Sequence, residues 1–198
     1  MERRGFQDIP ADQRGSYRSL LRDLERTLLS EIGARAVYDH IARRARDPEL
    51  AALAVELNRE GVDLVASVQE LMRGMGGRPR RTSLRRRLLA RLLVHSTAVT
   101  GARPALRLIR SAEETVSRWY GDYAQYLVQL GDHERAAAFD ELRLIKQRRV
   151  MVLGAWVDNL ARRSPAPYSL RSPRRVILLL LYFSHLDFHL KSPLSLYY

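Results

Sequence analysis

The chain contains no cysteine. That absence removes disulfides, zinc–thiolate centres, iron–sulfur clusters and thiol nucleophiles from consideration, so any metal must be held by oxygen or imidazole. Lysine is almost missing as well. Lys146 and Lys191 are the only two among 34 basic side chains, so the formal charge of +12 is carried by arginine. Such a charge favours anionic partners through its long-range field. An arginine bias is also what a GC-rich genome yields, and no nucleic-acid-binding motif accompanies it, so nucleic acid is not expected as a partner. No apolar run reaches the ~20 residues that cross a bilayer, and the opening "MERRGFQDIPADQRG" lacks the apolar core of a signal peptide. The expectation is a cytoplasmic location, with attachment to the membrane periphery as its variant. Glycine-rich phosphate loops, a dinucleotide fingerprint and a Ser-His-Asp grouping are missing too, which leaves hydrolase, kinase and Rossmann-type readings without a motif.

What is present is helical periodicity. The 198 residues are 46% apolar and 28% charged, a balance suited to one folded unit with tails. From Ser16, a candidate N-cap, Leu20, Leu21, Leu24, Leu28, Ile32, Val37 and Ile41 recur at mostly three- and four-residue steps. This predicts a long amphipathic helix. Asp47-Pro48 supplies a turn and a proline suited to the first helical position, and a second helix runs to about Met75. The glycines and proline of "GMGGRPRRTS" end it. An arginine- and leucine-rich segment, "SLRRRLLARLLVHSTAVTGARP", then makes a long connection to a third helix beginning at Ala105. "GD" at Gly131-Asp132 separates that helix from a fourth, which stops before Pro165. Two hairpins joined by one long crossover match the ferritin-like variant of the four-helix bundle. The division expected is a flexible N-terminus over 1–15, a bundle over 16–163, and a linker with an apolar tail over 164–198.

Bundles of that kind build di-iron or di-manganese sites from one Glu on each of two helices and a Glu-x-x-His on each of the other two. "EIGARAVYDH" puts Glu31 inside an apolar stripe, and Glu60 lies 29 residues further on with the Asp47-Pro48 turn near the midpoint. An antiparallel hairpin therefore brings the two carboxylates level. With "EGVD" from Glu60, "AEE" from Ala112 and Tyr120 beyond it, the chain resembles the ferritin-like di-iron carboxylate proteins, most closely the demethoxyubiquinone hydroxylases, over about residues 20–160.

The resemblance implies a Glu from the first helix, matched by Glu31, and a Glu-x-x-His from the second, matched at Glu60 with Asp63 where histidine is expected. It implies a Glu from the third helix, Glu113 or Glu114, with Glu114 favoured. A turn at Gly131-Asp132 puts the second Glu-x-x-His over Lys146 to Arg149. Both of those side chains are cations, and neither ligates metal in its charged form. A rival alignment keeps Glu141 as the fourth Glu but leaves Leu144 at the histidine position. Lys146 and Arg149 facing Glu31, Glu60 and Glu114 predict a metal-free ion-pair network, because buried carboxylates need compensation.

The reading at this stage is a ferritin-like bundle with a degenerate site and no cofactor, acting as a structural or interaction protein and not as an enzyme. The alternative is an iron- or manganese-binding oxidoreductase or storage protein using Glu31, Glu60, Asp63, Glu114 and Glu141, related to quinone chemistry at a membrane. His40, His95 and His133 fall outside the ligand positions. Trp119, Tyr120, Tyr123 and Tyr126 are expected to be packing residues. The stretch opening with Arg78 and closing with Leu93 holds seven arginines against a leucine face, a composition that suits an anionic membrane surface or an amphipathic helix packed on the bundle. A homodimer is the protein partner held open. The eight apolar residues from Val176 to Phe183 are expected to dock on the bundle, pair with another chain or touch a membrane surface.

Overall fold

The computed structural model describes residues 14–79, residue 94 and residues 102–163. They form four α-helices: α1, Arg14–Arg44; α2, Pro48–Gly74; α3, Ala102–Gln129; and α4, His133–Arg163. Among the described residues there is no strand, and no helix is long and apolar enough to cross a membrane. The expected arginine–leucine segment, the crossover and the C-terminal tail lie outside the described residues, except for residues 75–79 and 94.

Local chemistry accounts for most helix ends. Asp47 caps α2: its carboxylate accepts the backbone N–H groups of Glu49 at 3.0 Å and Leu50 at 3.3 Å, and Pro48 occupies a first-turn position where no donor is needed. α2 closes on Gly76 at φ 78°, and α3 on Gly131 at φ 72°. In each, the N–H three residues past the helix returns to a carbonyl of the last turn, Gly77 to Met72 at 2.8 Å and Asp132 to Leu127 at 2.9 Å. Only a residue tolerant of the left-handed region fits that return, hence glycine. Asp132 then caps α4 by accepting from the Arg135 N–H at 3.3 Å.

Two expectations about starts are corrected. Ser16 is not a cap, because α1 already runs from Arg14 and encloses it. α3 begins at Ala102 instead of Ala105. Pro104 sits in its first turn, where a missing N–H leaves no bond unmade, so the proline there is no break.

α1 and α2 form one antiparallel hairpin, and α3 and α4 form the other. α1 lies against α3, and α2 against α4. The start of α4 is tied to the end of α2 by Arg135 donating to the Gly74 carbonyl at 2.8 Å, and the end of α4 returns to the start of α2 through Arg163 and Asp47. α2 and α3 are thus both antiparallel to α4, and they run in the same direction.

The interior divides into two apolar clusters. One, at the end where α1 starts, holds Tyr17, Leu24, Leu28, Val68, Met72, Tyr120, Tyr123, Leu127 and Phe139, with the Phe139 ring edge-on to Tyr120 at 5.6 Å between centroids. The other holds Val37, Tyr38, Ile41, Leu57, Leu106, Ile109, Leu153 and Val157. Trp119 flanks the first cluster and Tyr126 belongs to it, so the aromatic stretch of α3 is packing material.

Asp47 both caps α2 and anchors Arg163. We therefore expect Asp47→Ala to lower unfolding free energy by about 1–2 kcal/mol, measured by urea denaturation. A change within about 0.3 kcal/mol would refute the capping role.

Candidate functional site

Between the two apolar clusters lies a layer of charge. Glu31, Glu113, Lys146 and Arg149 are 4%, 3%, 3% and 1% exposed. The Lys146 ammonium stands 2.6 Å from Oε2 of Glu31 and 2.6 Å from Oε2 of Glu113. The Arg149 guanidinium stands 2.7 Å from Oε1 of Glu31 and 3.1 Å from Oε1 of Glu113. Each cation therefore touches both carboxylates, and each carboxylate touches both cations. The four groups make a closed ring of alternating sign with no net formal charge.

Helical spacing puts them there. Lys146 and Arg149 are three apart and share the inward face of α4. Glu31 continues the stripe of Leu24, Leu28 and Val37 on α1. Of the adjacent pair on α3, Glu113 faces inward. Glu114, the residue favoured from sequence, is turned about 100° away and pairs at the surface with Arg110 at 3.1 Å. That corrects the choice between them.

Further groups surround Arg149, whose Nε has no hydrogen-bond partner. One nitrogen donates to the Leu57 carbonyl of α2 at 3.0 Å, Nε approaches Glu60 at 3.8 Å, and the guanidinium lies 5.5 Å from the centroid of the Tyr38 ring, within cation–π range. Glu60 sits at the rim, 19% exposed, and accepts from Arg148 at 2.5 Å. Gly61 enables the approach of α1 to α2. A methyl group at that position would lie 2.9 Å from Oε1 of Glu31 and 2.7 Å from Arg35 Cγ, closer than real side-chain contacts allow.

Burial pushes the Glu31 carboxyl up, but Lys146 and then Arg149, by charge and by hydrogen bond, outweigh it and hold the group below its ordinary value. Burial likewise opposes the charge on Arg149, and Glu31 and Glu113 overcome it, raising its affinity for its proton. The Tyr38 hydroxyl is pushed up chiefly by burial, and its oxygen is buried without a hydrogen-bond partner.

The other sequence candidates are dispersed. Asp63 and Glu141 are exposed, His40 is half-buried on α1, and His133 is exposed at the start of α4. His95 lies outside the described residues. Among the described residues, no group of three or more His, Asp or Glu is arranged to hold a metal ion. The residues present do not fit a di-metal centre. The inward carboxylates are both engaged by cations, no histidine among the described residues reaches the layer, and a divalent ion would stand beside an ammonium and a guanidinium.

Sequence reasoning missed Tyr38, the Leu57 carbonyl and Gly61. Tyr38 follows Glu31 by two turns and shares its face, a signal that was readable. Gly61, a glycine inside a helical pattern with no turn residue beside it, also signalled close approach. Nothing in the sequence marks a particular carbonyl.

Fold and site together define an all-α four-helix bundle with a buried ionic layer. Comparison of the chain with protein-family models, curated proteins and solved structures gave no match.

Removing one member of a buried ion pair strands its partner. We expect Glu31→Ala to lower stability by about 3–5 kcal/mol, visible as a fall in melting temperature of roughly 10 °C or more. Glu60→Ala, at the rim, should fall between that and Glu49→Ala, whose carboxylate is 68% exposed beside Arg163. Equal, mild effects for all three would contradict the layer.

The pH dependence follows from the Glu31 shift. Because its folded value is depressed, the stabilisation is complete above the ordinary carboxylate range and is lost as pH falls through the folded value. Arg149, shifted upward, contributes throughout the accessible range. The urea midpoint should decline below about pH 5, and more steeply for wild type than for Glu31→Gln. Parallel slopes would contradict this assignment.

Proposed function

We propose that this chain is a ferritin-like bundle in which side-chain cations stand where a metal would be held, and that it serves as a metal-free structural or interaction protein. The carrying observation is the position of Lys146 Nζ, 2.6 Å from both Glu31 and Glu113. An ammonium bridging two carboxylates on different helices occupies the electrostatic role of a bridging metal ion. It is covalently part of the protein and offers no open coordination position for chemistry. Arg149 supplies the second positive charge.

Two further features favour the ferritin-like side of the reading. α2 and α3 run in the same direction, as the connectivity with one long crossover requires. Glu31, Glu60 and Glu113 come from three helices and meet near one level, the arrangement implied by the resemblance to the demethoxyubiquinone hydroxylases. A function without bound metal then rests on the bundle's outer surfaces, and the ionic layer acts on register and rigidity.

Elemental analysis after expression with added iron and manganese tests this, together with melting curves with and without each ion and a chelator. We expect metal far below one ion per chain and no change in melting temperature. A bound ion present at a hundred times its dissociation constant would stabilise the fold by about 2.7 kcal/mol. Near-stoichiometric iron or manganese with such a shift would replace this reading with a metal-dependent oxidoreductase or storage protein.

A further inference from the structure

The two hairpins are unlike halves. Eight side-chain hydrogen bonds cross from one to the other, and in each of the eight the donor stands on α3–α4 and the acceptor on α1–α2. In the half where α1 starts, Tyr123 donates to Asp23 at 2.5 Å and Arg135 to the Gly74 carbonyl at 2.8 Å. At mid-height, Lys146 and Arg149 donate to Glu31 at 2.6 and 2.7 Å, Arg149 to the Leu57 carbonyl at 3.0 Å, and Arg148 to Glu60 at 2.5 Å. At the far end Arg163 donates to Asp47 and, at 3.3 Å, to Glu49. Glu113, the acid of the ring on the donor side, is met within its own hairpin by Lys146 and Arg149.

Composition does not impose this direction, because each hairpin carries both signs. On α1–α2, Arg22 donates to Ser19, Arg26 to Asp23, Arg35 to Asn58 and Arg43 to Asp39, all inside their own hairpin. On α3–α4, Glu114, Asp132 and Asp140 are taken by Arg110, Arg135 and Arg143 of the same hairpin. Opposite charges are thus settled locally, and what is left facing across is acceptor on one side and donor on the other.

We propose that α1–α2 and α3–α4 are complementary modules: the acceptor face of the first recognises the donor face of the second, and this recognition, not the covalent crossover, pairs them. Pairing of like with like is rejected by the same groups. Two α1–α2 faces would bury Asp23 and Glu31 against their own copies with no donor between them, and two α3–α4 faces would set Lys146 and Arg149 against theirs. The apolar clusters supply buried area but no such preference, since all four helices contribute aliphatic and aromatic side chains to them. The inference does not rest on the metal-free reading, because the crossing bonds at both ends of the bundle lie outside the ring.

The test uses the full chain with a site-specific protease sequence placed within residues 80–93 and cut after folding. The nicked protein is unfolded in urea, refolded by dilution and passed through size exclusion, with the halves in each peak identified by mass. The expected product holds the two halves in equal amount, with neither half paired to itself. A second arm reverses two exposed donors outside the ring, Arg148→Glu with Arg163→Glu, whose side chains are 58% and 49% exposed. Its control, Arg59→Glu with Arg107→Glu, makes the same change of charge at exposed positions that take no part in the crossing bonds. Like charges set across an interface oppose association, so the first pair should raise the dissociation constant of the halves roughly tenfold or more over the control. Halves that separate after refolding, halves that pair with themselves as readily as with each other, or a reversed pair no weaker than its control would each overturn the proposal.

Discussion

Four buried charges set the terms of this bundle. An isolated carboxylate or ammonium moved from water to the interior is penalised by several kcal/mol even after relaxation. Glu31, Glu113, Lys146 and Arg149 escape that penalty only as a complete set. Each oxygen facing the ring has a cation within 3.1 Å, and a further nitrogen of Arg149 donates to the Leu57 carbonyl. Completeness is what makes the layer tolerable. Three of the four would leave a net charge in a region of low polarisability.

From that demand the neighbouring structure follows. All four helices contribute to the layer, α2 through a carbonyl and a rim carboxylate, so the relative heights of the helices are tied to one another at this level. The apolar clusters above and below are built from Leu, Val and Tyr, whose packing tolerates small slips, whereas an ion ring with contacts near 2.6 Å does not. Gly61 is the local consequence on α2: a side chain there would meet the Glu31 carboxylate and the Arg35 stem. The contribution of the layer is therefore to register more than to net stability, a role attested for buried polar groups in helical assemblies.

Much of this arrangement was readable beforehand, for reasons that can be named. Helix spans follow from apolar periodicity and from punctuation by Asp47-Pro48, Gly76-Gly77 and Gly131-Asp132, because those residues act through local backbone chemistry alone. Hairpin symmetry about a known turn locates Lys146 and Arg149 opposite α3, since antiparallel helices rise at equal rates. The choice between Glu113 and Glu114 was not readable in the same way. Adjacent residues differ by 100° of rotation, and the rotation of α3 is fixed by how Val116, Tyr120 and Leu127 pack, a tertiary fact. The start of α3 was misread because Pro104 was taken as a boundary when a first-turn proline is equally at home.

The same physics separates a side-chain cation from a metal as the partner of inward carboxylates. Two carboxylates need about two positive charges in a small volume. A divalent ion delivers both at one point and retains open positions for water or substrate. Lysine and arginine deliver them at two points, one of them planar and forked, and fill their own coordination with hydrogen bonds. The first arrangement exchanges with solution and is sensitive to chelators; the second is present as soon as the chain folds. In this bundle the layer is vulnerable to acid, because protonating Glu31 leaves Lys146 and Arg149 to share the one remaining inward carboxylate, that of Glu113.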